Sequence, residues 1–116
     1  MPATAVITNL ALYVGEDKTL QDTIFQADGT TPQNITGWSM IFVCHAYGDP
    51  TAVFFMKSTV SGSITISNAP AGVVQISVSN SDTVGLNPDQ YEFTIERIDA
   101  GADGVPTKGL LTLLRK

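Results

Sequence analysis

The sequence predicts an all-β chain folded as a sandwich of seven or eight mostly antiparallel strands. Three observations carry this expectation. Thr, Val, Ile, Phe and Tyr recur in short runs that Gly, Pro, Asn and Asp interrupt. The runs follow one another at spacings of roughly ten residues, the habit of sandwiches and small barrels. No window of helical length sustains an apolar period of 3.6 residues.

The first expected strand runs from Ala5 to Tyr13 and ends at Gly15-Glu16-Asp17. The second covers Lys18 to Gln26. Leu20 and Ile24 share a face there with Asp22 between them, which points to a solvent-facing edge or a bulge. Asp28-Gly29 makes a turn, and Pro32 stops the strand from running on. The third strand, Trp38 to His45, has apolar residues on both faces and is expected at the centre of a sheet. Trp38, Met40, Phe42 and Cys44 share one face, and Ser39, Ile41, Val43 and His45 the other. Gly48-Asp49-Pro50 ends that region, Ala52 to Lys57 is a fourth run, and Ser63 to Ser67 a short fifth.

Pro70-Ala71-Gly72 turns the chain into a sixth strand, Val73 to Val78, with Val74, Ile76 and Val78 on one face. Asn80 to Asp89 is a connector with one helical turn at Asp82-Thr83-Val84, long enough for a Greek-key crossover between sheets. Tyr91 to Asp99 sets Tyr91, Phe93 and Ile95 against Glu92, Thr94 and Glu96. Tyr91 opens a strand after a crossover, where a tyrosine corner ties the hydroxyl back to the connector. Asp99 to Gly104 is a hairpin tip, and Thr107 to Arg115 the last strand.

With 116 residues and no repeat, the chain reads as one domain over residues 1–116. Only 15% of residues are charged, against an average of about 25%, so uncharged side chains or a partner must cover much of the surface. The net charge of −5, with six basic residues in all, argues against nucleic-acid binding. Lys108, Arg115 and Lys116 gather near the C-terminus, and a solvated chain end accounts for them. Cys44 is the only cysteine, which fits a disulfide-free chain in a reducing compartment. No secretory signal is recognisable, and no run approaches the ~20 apolar residues of a membrane helix. Neither a membrane nor a secreted setting is expected.

Catalytic constellations are sparse. His45, the only histidine, reads as a strand-end residue at a sheet surface, and Cys44 beside it faces the other way, so the two cannot form a nucleophile–base pair. One Cys and one His fall short of a zinc site. Asp99-Ala100-Gly101-Ala102-Asp103-Gly104 lacks the dense oxygen ligands and terminal Glu of a calcium loop. Glu92 and Glu96 lie about 13 Å apart along one strand, outside the spans of glycosidase pairs. No glycine-rich phosphate cradle is present. The expectation is no enzyme, no metal and no cofactor.

Phe54-Phe55 is the one candidate contact. Alternation sends one ring inward and the other outward, and an outward Phe on a weakly charged surface suits a partner subunit. The alternative is a central strand covered on both faces.

The order of landmarks resembles a known group. Gly15-Glu16-Asp17-Lys18-Thr19-Leu20 opens a strand, and Asp28-Gly29-Thr30-Thr31-Pro32-Gln33-Asn34-Ile35-Thr36-Gly37-Trp38 follows. The second stretch is similar to the "D-G-x-P-x-D-L-T-G" of small structural proteins of tailed bacteriophages. Ala71-Gly72-Val73-Val74, Ser81-Asp82-Thr83, Asp89-Gln90-Tyr91-Glu92-Phe93 and Gly109-Leu110-Leu111-Thr112-Leu113-Leu114 resemble later landmarks of the same proteins. The nearest group is the immunoglobulin-like N-terminal domain of phage baseplate upper proteins, with related tail and neck modules. Gln90 stands where that group usually has Gly, and Asn34-Ile35 where it has Asp-Leu.

The resemblance spans roughly residues 15 to 114. It implies an immunoglobulin-like sandwich and a virion structural protein of the tail, baseplate or neck. Such a protein is made in the host bacterial cytoplasm and joins other virion proteins, with copies of itself in symmetric rings. A second class is a carbohydrate- or receptor-binding sandwich for host recognition. That class needs exposed aromatics around a groove, and Trp38, the only tryptophan, is expected in the core.

Overall fold

The computed structural model describes residues 6–26, 28–99, 101 and 104–115, with the backbone alone at 6–8 and 104–106. Ala5, half of the Asp99–Gly104 tip and Lys116 therefore lie outside the described residues.

Eight strands are described: β1 (Val6–Tyr13), β2 (Lys18–Thr23), β3 (Met40–Ala46), β4 (Asp49–Ser58), β5 (Ile64–Asn68), β6 (Val73–Val78), β7 (Gln90–Arg97) and β8 (Gly104–Leu114). One short helix, α1 (Asn80–Thr83), lies in the crossover between β6 and β7. The strands form two sheets, ordered β1-β8-β7-β3-β4 and β2-β6-β5. All pairings are antiparallel except that of β1 with β8. With β2, β5 and β6 facing β3, β4, β7 and β8, the order is that of an immunoglobulin sandwich. β1 departs from the constant-type pattern by joining β8 rather than β2.

The core fills the space between the sheets. Met40, Phe42 and Cys44 of β3, Phe93 and Ile95 of β7, and Leu111 and Leu113 of β8 face Leu20, Val74, Ile76 and Ile64 of the smaller sheet. Phe42 stacks on Phe93 with centroids 5.2 Å apart and on Phe55 at 6.0 Å, so three aromatic rings run across β7, β3 and β4. Tyr91 forms the expected corner: its hydroxyl donates to the Asn87 carbonyl at 2.8 Å. α1 is tied to the β1–β2 turn, where the Gly15 amide donates to Thr83 Oγ1 at 2.8 Å and the Asn80 amide to Asp17 Oδ1 at 2.7 Å.

Four expectations are corrected. β2 ends at Thr23 rather than Gln26, because Phe25 pairs back to Pro32 in an isolated bridge. Its Leu20, Asp22 and Ile24 face is neither open nor bulged: all three are buried and the β2–β6 register is unbroken. Trp38 precedes β3 and is only half-buried, because the Thr36-Gly37 turn leads into the strand at Met40. Arg97 lies over its ring, 4.2 Å from the centroid. Gly48-Asp49-Pro50 does not separate two regions. Asp49 already starts β4, and Pro50 is tolerated because β4 is an edge strand.

Thr107 of β8 is fully buried, and its Oγ1 has no hydrogen-bond partner among the described residues. A buried hydroxyl without a partner keeps its desolvation cost. Thr107→Val keeps the shape and removes the polar atom. It is expected to raise unfolding stability by about 1 kcal/mol, read as a higher midpoint in urea with an unchanged slope.

Candidate functional site

The β3–β4 hairpin organises the exposed apolar surface. β4 pairs with β3 on one side only, so the alternative of a doubly covered central strand does not hold. Cys44 pairs with Phe55 and His45 with Val53, which leaves Phe54 as an extra residue in a bulge. The bulge cancels the alternation expected for Phe54 and Phe55. Phe55 turns inward and is buried beside Phe42. Phe54 turns toward the same side, its ring meeting inward-facing Tyr91 edge-on at 5.1 Å, yet it remains 43% exposed at the rim of the sandwich.

Phe55 is therefore core, and Phe54 stays partly exposed. Val53 and Met56 flank it and are exposed on the outer sheet face. Three of the nine exposed large hydrophobics among the described residues thus lie within four positions of one edge strand.

The backbone edge of β4 is less open than its side chains. The Ser58 amide donates to Ser63 Oγ at 3.0 Å, and Ser61 Oγ donates to the Ser58 carbonyl at 3.2 Å. Asp49 Oδ1 accepts from the Thr51 amide and hydroxyl, which holds its carboxyl below the usual range. Lys57 lies on the inward side and pairs with Asp82 of α1 at 2.6 Å. Proline, a bulge and an inward lysine are the devices that protect edge strands from adding another strand. These features disfavour the addition of a further strand to β4.

His45 corrects a further expectation. It is 5% exposed rather than a surface histidine. Its Nδ1 lies 2.9 Å from the Ala46 carbonyl oxygen, and the hairpin tip closes over β7 there, with the Gly48 amide donating to Glu92 Oε1 at 2.6 Å. Cys44 faces the core on the opposite side, and burial pushes its thiol up to about 12. The two side chains point apart as expected.

Asp99 is an ordinary structural acid. It accepts from Arg97 Nε at 2.8 Å and the Ser39 amide at 3.0 Å, and the Arg97 bond leads in lowering its pKa. Among the described residues, no group of three His, Cys, Asp or Glu could hold a metal ion, and no helix is long and apolar enough to cross a membrane.

A shallow depression of about 270 Å³ lies on the outer face of the five-stranded sheet. Tyr47, Glu92, Lys108, Gly109 and Leu110 line it. Sequence reasoning missed this group. Tyr47 reads as a turn residue, and Glu92 and Lys108 come from strands far along the chain. The only local signal is an aromatic directly before Gly48, at the tip of a hairpin.

No family model matches the chain, and no curated protein sequence matches it.

Proposed function

We propose that the chain is a non-catalytic structural module of a tailed-bacteriophage particle. It works in the tail, baseplate or neck through contacts with other virion proteins and with copies of itself. The observation that carries this reading is the exposure of three apolar side chains on one edge strand, Phe54 at the rim and Val53 and Met56 on the outer face. The ordered landmarks from Gly15 to Leu114 supply the phage context. The separation of His45 from Cys44 and the high thiol pKa favour assembly over chemistry.

The double change Phe54→Ser with Met56→Ser removes the two larger of these exposed side chains and spares buried Phe55. It is expected to cut incorporation into particles by at least tenfold, about 1.4 kcal/mol or more of contact energy. Immunoblots of particles purified from cells carrying the gene in its own context measure this, and circular dichroism checks that the variant folds. A chain absent from such particles, and monomeric by light scattering at every concentration, overturns the reading.

A further inference from the structure

We propose that the depression over β7 and β8 is a binding site for a neutral sugar ring, a pyranoside. Tyr47 is its stacking platform, Glu92 its hydrogen-bond acceptor and Lys108 its donor. This goes beyond the assembly reading and does not depend on it, because Phe54 and Met56 take no part in the site.

Tyr47 is the most exposed aromatic among the described residues, at 67%. Trp38 cannot serve as a platform in this way, since Arg97 covers its ring. The turn that carries Tyr47 is anchored: the Gly48 amide donates to Glu92 Oε1, which ties the turn to β7 beside the depression. That anchoring lowers the ordering cost of binding.

The charges select the ligand. Lys108 lies across from Thr94 on the outer face, one strand over from Glu92. Its side chain makes no ion pair or hydrogen bond among the described residues. Glu92 commits Oε1 to Gly48, and its second oxygen has no hydrogen-bond partner among the described residues. A cation and a carboxylate facing one small depression offset each other for any singly charged ligand. A hydroxyl both donates and accepts, so neighbouring hydroxyls on one ring can satisfy Glu92 and Lys108 together. The C–H face of a pyranose is apolar and packs on a tyrosine ring. Leu110 and the backbone at Gly109 form the floor, and the volume suits a single residue rather than a buried oligosaccharide.

The open site predicts a dissociation constant on the order of 1 mM. The test titrates the ¹⁵N-labelled chain with the methyl β-glycosides of glucose, galactose and N-acetylglucosamine, each to about 50 mM, well above that constant. At least one is expected to give saturable amide shifts confined to Tyr47, Gly48, Glu92 and Lys108 to Leu110. Tyr47→Ala is expected to weaken that binding at least tenfold with the remaining spectrum superimposable, and Phe54→Ser to leave it unchanged. Absence of saturable shifts with all three glycosides overturns the proposal. So do equal shifts in Tyr47→Ala, or a response to acetate or methylammonium without one to the neutral glycosides.

Discussion

Gly72→Ala is expected to destabilise the fold by roughly 3–5 kcal/mol, from backbone strain plus lost hydrogen bonds. Gly72 has a φ of +72°, a conformation costly for any residue with a Cβ. An added Cβ would also stand 2.4 Å from the Ile24 carbonyl oxygen and 2.8 Å from that of Gln33. Both obstacles are backbone, so neither can swing aside. They belong to a junction in which the Ile24 amide donates to Gly72 O at 2.7 Å and the Gln33 amide to Ile24 O at 2.9 Å. Relieving the collision breaks that junction between the end of β2 and the turn before β6. The loss is a large share of the ~5–15 kcal/mol typical of a domain. Gly29→Ala is the control: it has a φ of +77° with nothing within 4 Å, and costs only about 1 kcal/mol. Urea unfolding followed by Trp38 fluorescence compares the two. Equal losses would show that the close approach at Gly72 is relieved cheaply.

Phe42→Ala is expected to cost about 3–5 kcal/mol, the range for truncating a buried aromatic. Phe42 is fully buried at the middle of the Phe93–Phe42–Phe55 stack, so its loss removes both ring contacts and opens a cavity between β7, β3 and β4. Phe42→Leu retains most of the volume and is expected to lose much less. Phe55 is the inward neighbour of bulged Phe54, so cavity collapse also disturbs the rim that presents Phe54. Calorimetry on the two variants separates these effects. A loss below about 1.5 kcal/mol for Phe42→Ala would mean the stack contributes little beyond surface packing.

Regular alternation made β6 and β7 readable from the residues, because period-two patterns survive wherever a strand has one buried face, and apolar residues on both faces marked β3 as an interior strand. Tyr91 was readable for a local reason: a tyrosine opening a strand after a crossover has a backbone carbonyl within reach, here that of Asn87. Phe54 was not. Its direction depends on an extra residue in the pairing of β4 with β3, which no property of β4 alone reveals. Trp38 misled because it continues the strand's alternation past the point where the backbone turns. His45 misled because its cover comes from the hairpin folding over Glu92, forty-four residues from Gly48. The depression was hidden for the same reason, since Tyr47, Glu92 and Lys108 meet only once β3, β7 and β8 lie side by side.

The parallel pairing of β1 with β8 has a mechanical consequence. The pair runs in step from Val6 beside Thr107 to Tyr13 beside Leu114. The chain therefore enters the pair at one end of the sandwich and leaves it at the other. Tension applied between those two points slides β1 along β8, so the bonds of the whole pair are loaded at once. A hairpin pulled from its open end would instead unzip one bond at a time. A unit wired this way transmits a pull along its length as a stiff link, and it yields only when its first and last strands shear past each other.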